Sequence, residues 1–263
     1  MAEETQYIAN TGIVSISTAN SNLDGTGTIG TVLTGASNGT LVKRVIVKAI
    51  TNITEGMIRL FVDDNNGGVR LINETYVPAV TKTGISKAFE TIIPLNFVLK
   101  AGYKLRASTQ VANTFNIIAE GQDWLYYSRM VRMNTTKFTA NNGSVTISTA
   151  NSNLDGSGTL GLVYTAGSSG TYKGSRISTI VIKSSVNVTP GMVRLYLDDL
   201  TTKFCFHEVI VPAAITKGST SRAFERTLKI DLALKAGYKI HASTENAETF
   251  QVSVEANDWN YYS

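Results

Sequence analysis

Disulfides, long apolar runs and a high density of charge are all missing from this chain of 263 residues. With one cysteine, no disulfide can form within the chain, and nothing indicates passage through an oxidising compartment. No apolar stretch approaches the length of a membrane-spanning helix. The N-terminal sequence MAEETQYIAN lacks the basic and apolar segments of a signal peptide. We therefore expect a soluble protein that is made in a reducing cytosol and has no membrane partner.

Clustered basic residues and catalytic motifs are missing as well. The net charge is only +4, and Arg129, Arg132 and Lys137 place much of it between the two halves of the chain. Nucleic-acid-binding proteins present a basic face instead. The two histidines, His207 and His241, and the single cysteine have no metal-ligand spacing, and no phosphate-binding or nucleophile-elbow motif occurs. The sequence predicts no nucleic-acid partner, no cofactor and no enzymatic activity.

Glycine, serine, threonine, asparagine, valine and isoleucine are abundant instead, a balance typical of β-sheet proteins with many turns. These residues are arranged in an internal repeat. Gly12 to Gly27 and Gly143 to Gly158 are identical at 13 of 16 positions, including the stretch STANSNLDG. Further along, GMIRLFVDD matches GMVRLYLDD, AGYKLRAST matches AGYKIHAST, and DWLYYS matches DWNYYS.

The last of these matches sets the domain boundaries. DWNYYS ends at Ser263, which puts the end of the first copy near Ser128. Each copy has the size of an ordinary single domain and is too long for one blade or solenoid unit. The sequence therefore predicts an N-terminal arm over residues 1–11, a first domain over 12–128, a linker over 129–142 and a second domain over 143–263.

Within a copy, short segments with alternating apolar and polar residues follow one another at intervals of about ten residues, separated by Gly, Asn, Asp and Pro. No segment keeps a helical period, which argues against a parallel α/β fold. Eight strands per copy favour a jelly roll. The predicted fold is all-β, with two tandem jelly-roll-like antiparallel β-sandwich domains from an internal duplication. The strands predicted in the first copy are Ile13–Thr18, Ile29–Thr34, Leu41–Ile50, Met57–Asp63, Val69–Val77, Ser86–Ile93, Gly102–Thr109 and Thr114–Glu120.

The repeated stretch STANSNLDG contains side chains with the spacing of the first half of a calcium-binding loop. The twelfth position of such a loop needs a bidentate glutamate, and here it is Thr31 in the first copy and Leu162 in the second. One carboxylate with two amides would hold calcium weakly. The sequence favours a polar turn between two strands, with a calcium site as the alternative. The weak metal candidates are Asn20, Asn22, Asp24, Asn151, Asn153 and Asp155.

Paired carboxylates end a strand in both copies, as Asp63-Asp64 and Asp198-Asp199. Neighbouring residues on a strand point to opposite faces, so the two carboxylates of a pair diverge and are poorly placed for joint acid–base chemistry. A hairpin turn within VDDNNGG explains the first pair better.

Each copy also carries an aromatic motif, DWLYYS or DWNYYS. Tryptophan and tyrosine are favoured on recognition surfaces because a flat ring with a polar edge buries a large area at little entropic cost. The alternative, which the sequence favours, is a last strand whose aromatic side chains close the sandwich. A subunit interface is compatible with both. The interface candidates are Trp124, Tyr126, Trp259, Tyr261, Arg129 and Arg132.

Taken in order, ISTANSNLDGTGTIGTVLTG, GMIRLFVDD, KAFE, AGYKLRAST and TFNIIAEGQDW resemble a domain that recurs in virion structural proteins of tailed bacteriophages. The resemblance extends over both copies. It implies a non-enzymatic component of the virion, made in the host cytoplasm, and carries over no catalytic residue.

Two roles in the virion follow from this resemblance. The first is a capsid auxiliary protein, of the decoration or cement kind, that stabilises the shell. Its partners would be the major capsid protein or other virion proteins, and it would form a homo-oligomer within the particle. The alternative is a head-fibre, tail or baseplate component that binds host surface glycans. A bacterial sugar-binding or hydrolytic sandwich module comes third.

Overall fold

A computed structural model describes residues 6–125, 137–168, 172–212 and 223–260. Within these ranges every regular element is a β-strand. No helix in the described part of the chain is long and apolar enough to cross a membrane. The strands lie in two compact units. The first holds the described residues of Met1–Thr81 and Phe89–Thr136, and the second holds Lys82–Ala88 with those of Lys137–Asn260.

The strands of the first unit form two antiparallel four-stranded sheets, in the orders β1-β8-β3-β6 and β2-β7-β4-β5. Strands that are neighbours in a sheet therefore come from distant parts of the chain. The strands are β1 (Gln6–Ile16), β2 (Gly30–Thr34), β3 (Thr40–Ala49), β4 (Gly56–Asp63), β5 (Val69–Val77), β6 (Glu90–Leu99), β7 (Lys104–Thr109) and β8 (Phe115–Leu125).

The second unit repeats this arrangement with sheets β9-β16-β11-β14 and β10-β15-β12-β13. Eight antiparallel strands in this crossed order form a jelly roll, so the predicted fold class is confirmed for both copies. The strands are β9 (Lys137–Ile147), β10 (Gly161–Thr165), β11 (Tyr172–Ser184), β12 (Gly191–Asp198), β13 (Lys203–Val211), β14 (Glu225–Leu234), β15 (Lys239–Thr244) and β16 (Phe250–Asn260).

Two strands extend beyond the predicted domain boundaries. β1 begins within the predicted arm, where Gln6 lies opposite Leu125 of β8. β9 begins within the predicted linker, where Lys137 lies opposite Asn260 of β16. Strand pairing uses backbone hydrogen bonds, so these segments join a sheet although their side chains do not alternate regularly. Residues 1–5 and 126–136 lie outside the described part of the chain.

β6 lies several residues beyond its predicted position, Ser86–Ile93. The predicted pattern stops before Pro94, which removes a backbone donor, but β6 is an edge strand, where proline is tolerated. Asn96 has a φ of 48°, and the pairing with β3 shifts register between Val42 and Arg44. A bulge therefore carries the strand past a position at which the sequence pattern ends.

The two sheets of each unit approach one another closely at one glycine. A Cβ at Gly12 would lie 2.1 Å from the backbone oxygen of Val32, and one at Gly143 would lie 2.1 Å from that of Val163. Only glycine fits at these points, which explains why both copies keep it in the middle of a strand.

β4 is buried on both of its faces. Ile58 and Leu60 point to the interior between the sheets, and Arg59 and Phe61 point outward, yet all four are at most 5% exposed. An outer strand face in a sandwich is normally solvated. Another part of the chain therefore covers the outer face of β4, and this part is the repeated loop.

Candidate functional site: the repeated loop and the strand face beneath it

The repeated loop, residues 17–29 in the first unit and 148–160 in the second, is organised around a buried asparagine. Asn20 is 6% exposed, and its Nδ2 donates to the backbone oxygens of Thr26 and Thr28 at 2.8 and 3.0 Å. Its Oδ1 accepts the backbone N–H of Asn22 at 3.0 Å. Gly27, with a φ of 78°, packs directly against this amide. One side chain thus closes the loop on itself.

The second loop has the same geometry. Asn151 Nδ2 donates to the oxygens of Ser157 and Thr159 at 2.8 and 3.0 Å, and its Oδ1 accepts the N–H of Asn153 at 3.0 Å. The loop sequence therefore determines one conformation in two separate places, which is the property expected of a structural turn.

The loop carboxylates are also used internally. Asp24 Oδ1 accepts the hydroxyl of Thr26 at 2.7 Å and its backbone N–H at 2.9 Å. Asp155 accepts the equivalent bonds from Ser157 at 2.6 and 2.9 Å. The side-chain and backbone hydrogen bonds of Thr26 lower the pKa of Asp24, and those of Ser157 lower the pKa of Asp155. These carboxylates accept hydrogen bonds within a turn, and this turn explains why the spacing of the residues resembles that of metal ligands.

The six metal candidates lie three to a loop, and Asn20, Asp24 and their counterparts hydrogen-bond to the loop backbone. Among the described residues, no three His, Cys, Asp or Glu side chains group as a metal site would require. The calcium alternative stays a prediction, which the following substitutions test.

Asn20→Ala is expected to destabilise the first unit by about 2–3 kcal/mol, because the buried backbone groups of the loop lose their partner. Asp24→Ala should have a much smaller effect, because Asp24 is exposed. Thermal unfolding with calcium or with EDTA measures both contributions. If the loop bound calcium, Asp24→Ala would be the more destabilising of the two substitutions, since Asp24 is the only carboxylate of the loop. Calcium would then raise the melting temperature of the wild type but not that of the variants.

An arginine on the strand beneath holds each loop in place. Arg59 Nη1 donates to the backbone oxygen of Asn20 at 3.1 Å, and Arg194 Nη1 donates to that of Asn151 at 3.1 Å. Arg59 also pairs with Glu74 at 2.8 Å. The loop is therefore fastened to the outer face of its own sheet through a guanidinium group.

The second unit carries more charge at this point. Arg194 pairs with Glu208 at 3.2 Å and also with Glu245, a position occupied by Gln110 in the first copy. Burial lowers the pKa of Arg194, but the hydrogen bond and charge of Glu245 and the charge of Glu208 outweigh burial and raise it. Two carboxylates thus share one buried guanidinium, and Glu208 also accepts the backbone N–H of Ala88 at 2.9 Å.

A second side-chain contact beside the loop differs between the copies. In the first unit, Arg106 pairs with Asp63 at 2.9 Å and donates to the backbone oxygen of Ile29 at 3.1 Å. In the second unit the equivalent residue is His241, whose Nε2 lies 3.0 Å from Asp198 Oδ2. A permanent cation is thus replaced by a titratable ring.

The second unit is expected to lose stability as the pH falls below 6.5. Burial lowers the pKa of His241 below its ordinary value of 6.5, and the charges of Lys203 and Lys239 lower it further. The hydrogen bond and the charge of Asp198 raise the pKa but do not cancel this shift. The unfolded chain takes up a proton first, so acid favours unfolding in the interval between the two pKa values. The first unit has no histidine at this position, so it lacks this source of acid sensitivity.

Hydrogen exchange at several pH values checks this, because both units are followed in one molecule. His241→Arg should remove the acid sensitivity of the second unit, and Arg106→His should introduce it in the first. An unchanged pH profile in His241→Arg would show that another group is responsible.

In the aromatic motif of the second unit, the aspartate makes side-chain hydrogen bonds that the neighbouring tryptophan does not make. Asp258 is 5% exposed and accepts hydrogen bonds from Tyr164 at 2.8 Å, from Ser175 at 2.5 Å and from Asn141 at 2.8 Å. It thereby joins strands of both sheets. Asp123 in the first unit accepts hydrogen bonds from Asn10 at 2.8 Å and Thr40 at 2.5 Å, and these bonds join strands of a single sheet.

The predicted interface residues divide into two groups. Trp259 is 4% exposed, and the indole nitrogens of Trp124 and Trp259 are both buried, as the interpretation of a closing strand requires. The other four candidates, Tyr126, Tyr261, Arg129 and Arg132, lie outside the described residues.

Sequence reasoning missed the residues that fasten the loop to its sheet and those that join the strands through side-chain hydrogen bonds. Arg59, Arg194, Asp123 and Asp258 were all inside matching motifs, and their identity in both copies was the available signal. The hairpin turn predicted at Asp63-Asp64 is confirmed: both carboxylates accept backbone N–H groups of the turn.

No protein-family model and no curated protein sequence matches the chain. Among solved structures, it is similar to an archaeal-virus protein described by a triple jelly-roll fold and turret assembly. The TM-score is 0.28 and the identity 11%, over 98% of this chain and 59% of the other, so this chain spans about three fifths of that protein.

Two further similarities have comparable values. The exported protein XepA of PBSX matches with a TM-score of 0.22 and 12% identity, over 91% of this chain and 89% of the other. PNGase F, a glycosylasparaginase from Flavobacterium meningosepticum, matches with a TM-score of 0.27 and 9% identity, over 98% and 96%. All of these TM-scores are low, and no property of those proteins is transferred to this chain.

Proposed function

We propose that the chain is a non-enzymatic structural protein of a tailed-phage virion, most specifically a capsid auxiliary protein that stabilises the shell. One observation carries the proposal: the residues shared by the two copies form the internal contacts that hold the repeated loop and the strands together. Asn20, Arg59 and Asp123, with their counterparts, are examples. What duplication has kept is a rigid scaffold.

The faces of the scaffold have diverged, which supports the same proposal. Across the outer face of the β1-β8-β3-β6 sheet, one row of paired residues consists of four isoleucines, and the equivalent row of the second unit is mostly polar. Ile46 and Ile118 are buried within the chain, so a neighbouring subunit would meet Ile92 in the first unit and the mostly polar row in the second, and the two units present unlike surfaces. The rows are Ile13, Ile118, Ile46 and Ile92 in the first unit, and Ser144, Ser253, Val181 and Thr227 in the second.

The mechanism would be stoichiometric. Each rigid unit would contact a neighbouring capsid subunit, and covalent linkage of the two units would raise the effective concentration of the second contact once the first has formed. Many weak contacts would then add up to a shell that resists internal pressure.

Quantitative mass spectrometry of purified particles tests the proposal. A capsid auxiliary protein is expected in a simple ratio to the major capsid protein, and cryo-electron microscopy should place its density on the capsid lattice. A few copies per particle at the tail or at one vertex would support the fibre or baseplate alternative. Absence from the particle would overturn the proposal altogether.

A further inference from the structure

A row of three reactive side chains crosses the outer face of the first unit. In the strand register, Lys48 on the central strand β3 lies directly opposite Asn116 on β8 and directly opposite Glu90 on β6. The Lys48 side chain is 0% exposed and Asn116 is 2% exposed. The Lys48 Nζ lies 3.6 Å from Glu90 Oε2. A buried amine and a buried carboxamide therefore lie in one row with a carboxylate whose side chain is 18% exposed.

Apolar residues border this row. Ile46 and Ile118, two positions along on the same face of β3 and β8, are 6% and 0% exposed. Directly opposite residues of antiparallel strands have Cβ atoms about 4.5–5.5 Å apart, a distance that the flexible lysine chain spans easily. The lysine side chain is thus long enough to bring its nitrogen to the amide carbon of Asn116, and both side chains are shielded from water.

We propose that Lys48 and Asn116 form an intramolecular isopeptide bond, with Glu90 as the proton carrier. The Lys48 ammonium passes a proton to the Glu90 carboxylate, and the resulting amine attacks Cγ of Asn116. Glu90 then returns this proton to Nδ2, and the bond between Cγ and Nδ2 breaks. The second proton that the attacking nitrogen loses passes to the released ammonia, again through Glu90. General acid–base catalysis by one positioned carboxylate is sufficient for both transfers.

The reaction balances without any further reactant. One bond forms, between Nζ and Cγ, and one breaks, between Cγ and Nδ2. The ammonium of Lys48 retains one proton as the new amide, and its other two leave with the Nδ2 group as an ammonium ion. Nothing is oxidised or reduced, and Glu90 is regenerated as a carboxylate.

The second unit provides an internal comparison. Lys183 again lies between a carboxylate, Glu225, and an amide residue, which here is Gln251. Lys183 and Glu225 are 3.2 Å apart, but their side chains are 57% and 51% exposed, and Gln251 is exposed as well. Water reaches all three side chains, so no bond is expected there. The row of the first unit differs because its lysine and its amide residue are buried, and because the amide residue is an asparagine, which is shorter than glutamine.

The test is the intact mass and the tryptic peptide map of the purified full chain. The wild type is expected to be lighter by one ammonia, and trypsin should not cleave after Lys48, because an acylated lysine is not a trypsin site. The peptides that contain Lys48 and Asn116 should be recovered as one joined species. Glu90→Gln should restore the full mass and both separate peptides, while Lys183→Arg should leave the joined species unchanged.

Two results would overturn the proposal. One is cleavage after Lys48 in the wild type with the two peptides separate. The other is a loss of ammonia without a joined species, as an Asn–Gly succinimide would produce. A joined species that persists in Glu90→Gln would overturn the role of Glu90. Circular dichroism of each variant shows whether it folds, and Asn116→Ala, which has no carbonyl carbon for Lys48 to attack, should also give the mass of the unjoined chain and separate peptides.

Discussion

Replacement of Arg194 with methionine is expected to destabilise the second unit by about 3–5 kcal/mol, the cost of removing one partner from a buried ion pair. Arg194 is 2% exposed and Glu208 is 1% exposed, so the substitution removes the paired cation from a carboxylate out of contact with water. It also removes the donor that holds the backbone oxygen of Asn151. The strand face and the loop above it should therefore loosen together.

Arg59→Met is the matched control in the first unit. Its partner Glu74 has a side chain that is 38% exposed and can be hydrated when the arginine is lost. The expected cost is about 1–2 kcal/mol, mainly from the hydrogen bond to the loop. Native-state hydrogen exchange measures both, because peptides from β4 and β12 report on the two units separately. Equal losses in the two variants would show that the burial of Glu208 does not determine the effect.

Asp258→Ala is expected to cost about 3 kcal/mol or more in the second unit. Three donors lose their acceptor at once, and the hydroxyls of Tyr164 and Ser175 are buried in the space between the sheets. A buried donor without a partner costs about 1–3 kcal/mol. Burial and the bond to Asp258 also raise the pKa of Tyr164 above its ordinary value, so this hydroxyl keeps its proton and remains a donor.

Asp123→Ala in the first unit should cost less, because Asp123 accepts side-chain bonds from two donors, Asn10 and Thr40, among the described residues. Urea-induced unfolding followed by circular dichroism measures both variants. If Trp259→Phe were as destabilising as Asp258→Ala, the indole ring and not the carboxylate would be the main contact of this motif.

Much of the fold could be predicted because alternation in a strand records which face is buried. Val69–Val77 was predicted to the residue, and Met57–Asp63 and Leu41–Ile50 within one residue of each end. The failures occurred where pairing does not depend on alternation. The start of β1 is held by backbone hydrogen bonds to β8, and β6 passes through a proline and a bulge.

The candidate site was predictable in composition but not in its connections. STANSNLDG indicated a turn, and the asparagines and the aspartate do form one. Its dependence on Arg59 is a contact between positions far apart in the sequence, on different elements. No spacing rule relates them, because the distance between the two is determined by how β4 lies beneath the loop.

The sequence by itself determined the duplication, the all-β class and most of the strands, because these depend on local pattern and on self-similarity. Only the tertiary structure decided what the conserved residues do. It showed that Asn20 closes a loop, that Arg59 and Arg194 fasten the loops to a strand face, and that Lys48 lies between an amide and a carboxylate. Hydrogen bonding and ion pairing depend on distances of a few ångströms across strands, and the order of strands in a jelly roll brings together residues that the chain keeps far apart.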